Sequence, residues 1–422
     1  MKTGITDKDL VKLVKLKLYE IEATIDKEWK NFDSISLMTG LGGVAIFYAQ
    51  MDKWVNSKKR LSKISKILER IFDNINKGDF VITYSSGLIG VAFMLNLLRK
   101  EGVIKGDDID DYLLFFDNLI IEKSLEPFTN FEDIDFLHGR LGAANYFLER
   151  STTDELLLAK IKQLFHGIAD VVDNNTQMTK QVENITEFDE LTHRTNCGLA
   201  HGHTSVILIF SKYLKMFPND KKIFSSLNNS IQCLLTLQSK NANNLASFPG
   251  IAVNQKTASY NIPLGWCYGD QTIAFGISEA AEIVQSKALS KTAYEVAKRT
   301  LQRDTFETAL SKSSDAGFCH GASSLAYLHK VFFQKYQDKK FMYLYQEFAK
   351  EVINKGNDLD GLAGYRKYLG DNKFENAIGL LDGIVGIGLF LLDSIMDEEK
   401  QINWQSCFLL NSLLVNKRIN SH

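Results

Sequence analysis

Proline is scarce in this chain, with 4 residues in 422. So few helix breakers over that length favour long helices with short interruptions. Cysteine is scarce too. Its 5 copies, Cys197, Cys233, Cys267, Cys319 and Cys407, are odd in number and widely spaced, which excludes a disulfide framework. No uninterrupted apolar run approaches the roughly 20 residues that a membrane-spanning helix needs. Met1 to Lys12 mixes charged and apolar side chains and lacks the apolar core of a secretion signal. Neither sign of charge is in excess. Lys and Arg number 49 against 51 Asp and Glu, a net −2, so nothing in the balance points to nucleic acid as a partner. The expectation is a cytoplasmic globular protein of ordinary composition, 45% hydrophobic and 24% charged.

What the chain does have is a recurring glycine. Gly40, Gly87, Gly139, Gly202, Gly269, Gly321 and Gly383 each open an apolar run such as Val44-Ala45-Ile46-Phe47 or Ile387-Gly388-Leu389-Phe390. A glycine, serine or threonine follows three residues after each of them. The spacing of 47–67 residues marks a repeat architecture. Small residues let a helix start come close to a neighbouring backbone, and a nearly unbroken apolar run is buried on most sides. Between the copies lie amphipathic stretches. One is Leu61, Ile64, Leu68, Ile71, Phe72 and Ile75. A second is Leu156, Ala159, Ile161, Leu164 and Ile168, and a third is Phe341, Leu344, Tyr345, Phe348 and Val352. A first helix is expected from about Asp7 to Lys30, with Thr6 and Asp9 as a capping box. Buried and amphipathic helices alternating seven times predict an all-α fold, an α/α toroid of seven inner and seven outer helices. The whole chain, 1–422, then forms one domain. Rim loops are expected near 173–196 and 240–264, where Ile251-Ala252-Val253 is strand-like.

In such a ring all inner helices begin on one side. The residues just before each glycine, Thr39, Ser86, His138, His201, Tyr268, His320 and Asp382, converge on one mouth. For Thr39, Ser86 and Asp382 an N-cap role suffices. Two stretches carry more chemistry: Trp266-Cys267-Tyr268-Gly269 and Phe318-Cys319-His320-Gly321. Cys267, Cys319 and His320 occupy near-equivalent places in neighbouring repeats. Two thiolates and an imidazole suit zinc and leave a fourth position open. A thiol held there stays a nucleophilic thiolate, which favours thiol addition over metal-water hydrolysis. His201, in Gly198-Leu199-Ala200-His201-Gly202, is placed to be a general acid or base, or else a structural histidine. Asp135, in Asp133-Ile134-Asp135-Phe136-Leu137-His138, either orients a histidine or is a solvated cap. His138 is a weaker candidate, and His203 sits too far into its helix. Cys233 and Cys407 read as buried thiols. Asp107-Asp108-Ile109-Asp110-Asp111 has the look of a diphosphate-binding acidic box, but acids at a helix start are favoured by the dipole alone.

Taken in order, Gly198-Leu199-Ala200-His201-Gly202, Trp266-Cys267-Tyr268-Gly269 and Cys319-His320-Gly321 resemble the lanthionine synthetase C-like cyclases, and the glycine-led helices extend the likeness over the chain. The resemblance implies a Zn2+ held by Cys267, Cys319 and His320. It implies catalytic roles for His201 and Asp135, and places Tyr268 on the family's tyrosine. It also implies the reaction: cysteine thiols of a dehydrated precursor peptide, carried with its leader, add to dehydroalanine or dehydrobutyrine and close thioether rings. A separate dehydratase would supply that peptide, since no dehydratase domain fits this length, and an export transporter at the membrane is a possible further partner. Two positions depart from the family pattern. Pro263-Leu264-Gly265 stands where many members carry a basic residue, and Asp270-Gln271-Thr272 where many carry Pro-Gly. Two alternatives stay open: addition of glutathione or another thiol to dehydroamino acids, and a zinc-bearing peptide-binding protein without catalysis.

Overall fold

Every glycine-led apolar run becomes a helix. The structure, a computed structural model, describes residues 4–5, 7–78, 80–128, 131–181, 195–252, 254, 256, 258–310 and 315–411. In chain order the helices are α1 (Lys8–Glu28), α2 (Leu41–Trp54), α3 (Lys58–Asn76), α4 (Leu88–Lys100), α5 (Asp107–Ser124), α6 (Arg140–Arg150), α7 (Glu155–Gln181) and α8 (His203–Met216). They continue as α9 (Lys221–Thr236), α10 (Asp270–Ile283), α11 (Lys287–Thr300), the short α12 (Phe306–Leu310), α13 (Ala322–Tyr336), α14 (Lys339–Asn354) and α15 (Ile384–Ile395). Helices α2, α4, α6, α8, α10, α13 and α15 follow the seven glycines. None of the described helices is long and apolar enough to cross a membrane.

The glycine itself is the N-cap each time, with no side-chain cap bond. This corrects the reading of Thr39, Ser86 and Asp382 as caps. Thr39 Oγ1 instead pairs with Ser36 Oγ at 3.0 Å, Ser86 Oγ with Ser85 Oγ at 3.1 Å, and Asp382 Oδ2 with Lys367 Nζ at 3.5 Å. The reason is space. The chain folds back so that a Cβ at Gly202 would overlap the carbonyl oxygen of Asn196, six residues earlier. Gly269 adds a positive φ of 120°, and its Cβ would lie 2.7 Å from the Pro263 carbonyl oxygen. The small residue three positions on has its own use. In the later repeats its hydroxyl bonds back to the glycine carbonyl, as Ser205 Oγ does to Gly202 at 2.7 Å and Ser324 Oγ to Gly321 at 3.2 Å.

The described residues divide into two compact units, one within 4–116 and 304–411 and the other within 117–303. In the first unit α13, α15, α2 and α4 pack in that order, with α1, α3 and α14 outside them. In the second, α6, α8 and α10 pack in sequence, backed by α7, α9 and α11. The glycine-led helices are buried almost throughout, as from Leu41 to Met51 in α2, whereas the others bury one face.

That face is as expected in α14, where Phe341, Leu344, Tyr345, Phe348 and Val352 are all buried. In α3 and α7 the stripe is rotated. Leu61, Leu156 and Ala159 are exposed, and Ile67, Leu157, Phe165 and Val172 take the inward places. Helix α1 starts one residue later than expected and is capped by Asp7, whose carboxylate accepts from the Asp9 and Leu10 N–H groups; Thr6 lies outside the described residues. The polar stretch from 173 is helical as far as Gln181, and 182–194 lie outside the described residues. Asp110 pairs with Arg99, as a solvated helix start would. A two-stranded hairpin, β3 (Lys367–Gly370) with β4 (Lys373–Glu375), was not foreseen. Its strands are only 4 and 3 residues long, too short for an alternating pattern to stand out in the sequence.

Two histidines inside these helices make stability depend on acid. His203 of α8 is buried and shares a 2.6 Å hydrogen bond with Ser230 Oγ. His329 of α13 is stacked on Phe348 at 5.6 Å between centroids, and neither ring nitrogen has a partner among the described residues. Burial pushes His203 down to about 4 and His329 down to about 3. A base whose pKa falls on folding contributes fully above its unfolded value of roughly 6.5. It loses that contribution as pH falls from there to the folded value, at up to about 1.4 kcal/mol per pH unit per group. His329→Phe is therefore expected to flatten the dependence of unfolding free energy on pH between roughly 6.5 and 4.5, by about that slope. Urea melts of both proteins across that range would show it.

Candidate functional site

His201 and Asp135 meet in the second unit. His201 Nδ1 lies 2.6 Å from Asp135 Oδ2, while Asp135 Oδ1 accepts the Leu137 and His138 N–H groups at 2.7 Å each. One carboxylate oxygen is thus fixed by backbone and the other is turned to the imidazole. The hydrogen bond to Asp135 raises the pKa of His201 above the ordinary histidine value. Burial opposes this, and the charges of Asp135 and Cys267 add to it. Asp135 takes Nδ1, and the side chain is about one-third exposed, at 35%. His138 is exposed and stacks on it at 5.9 Å. His203 points instead into the core, as expected.

The loop that carries His201 is sewn to Cys267. Leu199 and Ala200 N–H groups bond to the Cys267 carbonyl at 2.9 and 3.3 Å. Just ahead of them, β1 (Thr195–Asn196) pairs antiparallel with β2 (Ile251–Ala252), and Cys197 N–H bonds to Gly250. The strand-like stretch is thus real over Ile251–Ala252, and Val253 lies outside the described residues. Gly198 fits where a side chain would not, because a Cβ would lie 2.6 Å from the Cys267 carbonyl oxygen and 2.7 Å from the Tyr268 ring. The Tyr268 hydroxyl accepts from Asn196 Nδ2 at 3.0 Å, and burial raises its pKa, so the phenol stays protonated at neutral pH. Buried Trp266 meets Phe136, the neighbour of Asp135, edge to face at 6.4 Å. Cys197 and Cys233 are buried thiols in this unit.

Asp270 explains one departure from the family pattern. It is buried, and its carboxylate accepts the Ser247 and Phe248 N–H groups at 2.6 and 3.0 Å. Burial raises its pKa, against those bonds and the charge of Arg303. The first residue of α10 thus clasps the 240–264 loop. Asp270→Ala leaves two buried N–H groups bare and is expected to cost about 3 kcal/mol, measurable as a lowered denaturation midpoint.

In the first unit, Phe318 and Cys319 N–H groups both bond to the Leu381 carbonyl, at 3.0 and 2.9 Å. Phe318 is buried against Tyr327, Trp404 and Phe408, the last two from the turn that also buries Cys407. That core holds the Cys319-His320 backbone, while both side chains are half-buried. Asp315 is buried nearby, with Oδ2 3.6 Å from His320 Nε2.

One donor atom each from Cys267, Cys319 and His320 lie within 4.8 Å of one another, a group that can hold a metal ion. Two sulfurs and one nitrogen are a soft donor set that matches zinc and leaves a position open. Asn196 and Asp315 were missed at the level of sequence. Each stands two residues before a glycine, Gly198 and Gly317, and six before a capping glycine, and each accepts the nearer glycine's N–H. That offset was a readable signal.

Glycine-led helices backed by amphipathic ones define an α/α protein, and its cysteine–histidine group can hold a metal ion. The chain belongs to the lanthionine synthetase C-like family, whose model matches residues 31–409. It is 23% identical over 384 residues to the nisin biosynthesis protein NisC of Lactococcus lactis subsp. lactis, covering 84% of this chain and 88% of that protein. A solved structure of nisin cyclase superposes with a TM-score of 0.73 at 20% identity, covering 94% of this chain and 98% of the other. That likeness makes the fold an α/α toroid.

Proposed function

We propose that this protein is a zinc-dependent cyclase that closes lanthionine and methyllanthionine rings in a ribosomally made precursor peptide. The observation that carries the proposal is the His201–Asp135 pair, fastened by two backbone hydrogen bonds to the carbonyl of a cysteine from the metal-type donor set. Cys267, Cys319 and His320 would hold the ion, which when bound supplies the means to keep a substrate cysteine as thiolate. The thiolate sulfur bonds to the β-carbon of dehydroalanine or dehydrobutyrine, and the π electrons move onto the carbonyl as an enolate. His201, protonated and held by Asp135, returns a proton to the α-carbon from Nε2. Tyr268, kept neutral and oriented by Asn196, would donate a hydrogen bond to the enolate oxygen. The proton lost by the substrate thiol passes to solvent, and His201, neutral after its donation, takes one back from solvent, so atoms and charge balance over the cycle.

The partners follow from this chemistry. The substrate is a dehydrated peptide with its leader, so a separate dehydratase must act first, and a membrane exporter would act after ring closure. A reducing cytoplasm suits a centre built on free thiols. The family match over 31–409 supports reading the chain as one functional domain. Incubation with dehydrated precursor, then thiol alkylation and mass measurement, tests the proposal. Loss of alkylatable thiols is expected without a change in the mass of the unalkylated peptide, because ring closure is an isomerisation. Thiols that stay fully alkylatable would refute the proposal. A mass gain from added glutathione would favour the intermolecular reaction.

A further inference from the structure

A buried carboxylate sits behind His320. Asp315 has only 2% of its side chain exposed. Its Oδ1 accepts the Gly317 N–H at 3.0 Å, its Oδ2 accepts the Tyr368 N–H at 2.9 Å, and that same Oδ2 lies 3.6 Å from His320 Nε2. A carboxylate taken this far from water needs donors on both oxygens, and this one has them from two different segments. The Tyr368 N–H belongs to β3 of the hairpin, whose Lys367 also reaches Asp382 at 3.5 Å and Glu375 at 3.3 Å. Gly321 leaves the necessary room, since a Cβ there would collide with Asp315 Oδ1.

We propose that Asp315 is the positioning residue of His320 and that the β3–β4 hairpin fastens it. At 3.6 Å the pair is an ion-pair contact and not a closed hydrogen bond, but a fixed carboxylate facing Nε2 favours the proton on that nitrogen and leaves Nδ1 for a metal ion. The hairpin then acts on the metal centre through one backbone N–H. This rests on the metal reading given above and adds to it the group that holds the ligand in place.

The test is metal binding by the full-length, metal-free chain, with Co2+ as spectroscopic probe and Zn2+ as competitor. Wild type should show sulfur-to-cobalt charge-transfer bands. If it shows none, the metal reading itself falls before any variant is compared. Asp315→Asn is expected to weaken Zn2+ binding by about 10–100-fold and to shift the cobalt d–d envelope. Tyr368→Pro deletes the single N–H without touching Asp315 or His320, and is expected to weaken binding by about tenfold. If Asp315→Asn does not fold, as judged by circular dichroism, Tyr368→Pro carries the decision alone. Folded Asp315→Asn with wild-type affinity and an unchanged envelope, even with a lower melting temperature, would reduce Asp315 to a structural role and overturn the proposal. Unchanged affinity in Tyr368→Pro alone would remove the hairpin from it.

Discussion

His201→Ala is expected to slow ring closure by about 10²–10⁴-fold, the range for losing a general acid, while metal content stays at the wild-type level. The two readouts separate because the loop that carries His201 is fastened to Cys267 by the Leu199 and Ala200 N–H groups, which the substitution leaves in place. Asp135→Asn is the finer probe. The amide oxygen can still accept the Leu137 and His138 N–H groups, so the loop keeps its shape, but the negative charge is gone. The hydrogen bond to Asp135 is the largest cause of the raised His201 pKa. Without it that pKa falls. A general acid works while protonated, so activity is lost as pH rises through its pKa. The alkaline limb of the rate profile should therefore move to lower pH in Asp135→Asn, read from thiol disappearance against pH. Ring closure by His201→Ala at the wild-type rate, with metal in place, would remove the acid–base assignment.

Removal of one sulfur should be more drastic. Cys319→Ala leaves a cysteine and a histidine, too few donors for a stable zinc site. Metal content is expected to fall below one tenth of an ion per chain, and ring closure to drop by about 10³-fold or more. Part of that loss is ionisation, since a free cysteine is only a few per cent thiolate at neutral pH. The larger part is orientation of sulfur against the β-carbon. Cys233→Ala serves as control, because Cys233 is buried in α9 with Thr195 and His203 as its sulfur's neighbours. It should keep both metal and activity. Elemental analysis and the alkylation assay on the same preparations would decide.

Some of this architecture was open to a reader of residues alone. The seven glycines were, because a closely approached backbone tolerates no Cβ, and that constraint leaves the same letter at each helix start. The soft-ligand triad was, because two cysteines and a histidine beside such glycines are too chemically specific to be chance caps. The faces of α3 and α7 were only partly legible. Leu61, Leu156 and Ala159 fit an apolar stripe, but which flank of that stripe turns inward is decided by the partner helix. Cap residues misled for a related reason. Thr39, Ser86 and Asp382 are good caps in isolation, yet the backbone fold-back before each helix puts the glycine in that position.

By itself, then, the order of amino acids determined the repeat, the helical class, the donor set and the candidate acid, since each depends on residue type and short-range spacing. Tertiary structure alone decided which groups serve which. Asp135 is 66 residues from His201, yet it takes the imidazole's Nδ1. Asn196 sets Tyr268, and Asp315 stands behind His320 with a hairpin N–H on the same carboxylate oxygen. A carboxylate or amide can serve any donor within about 3 Å, and only the packing of helices against one another selects the one it meets.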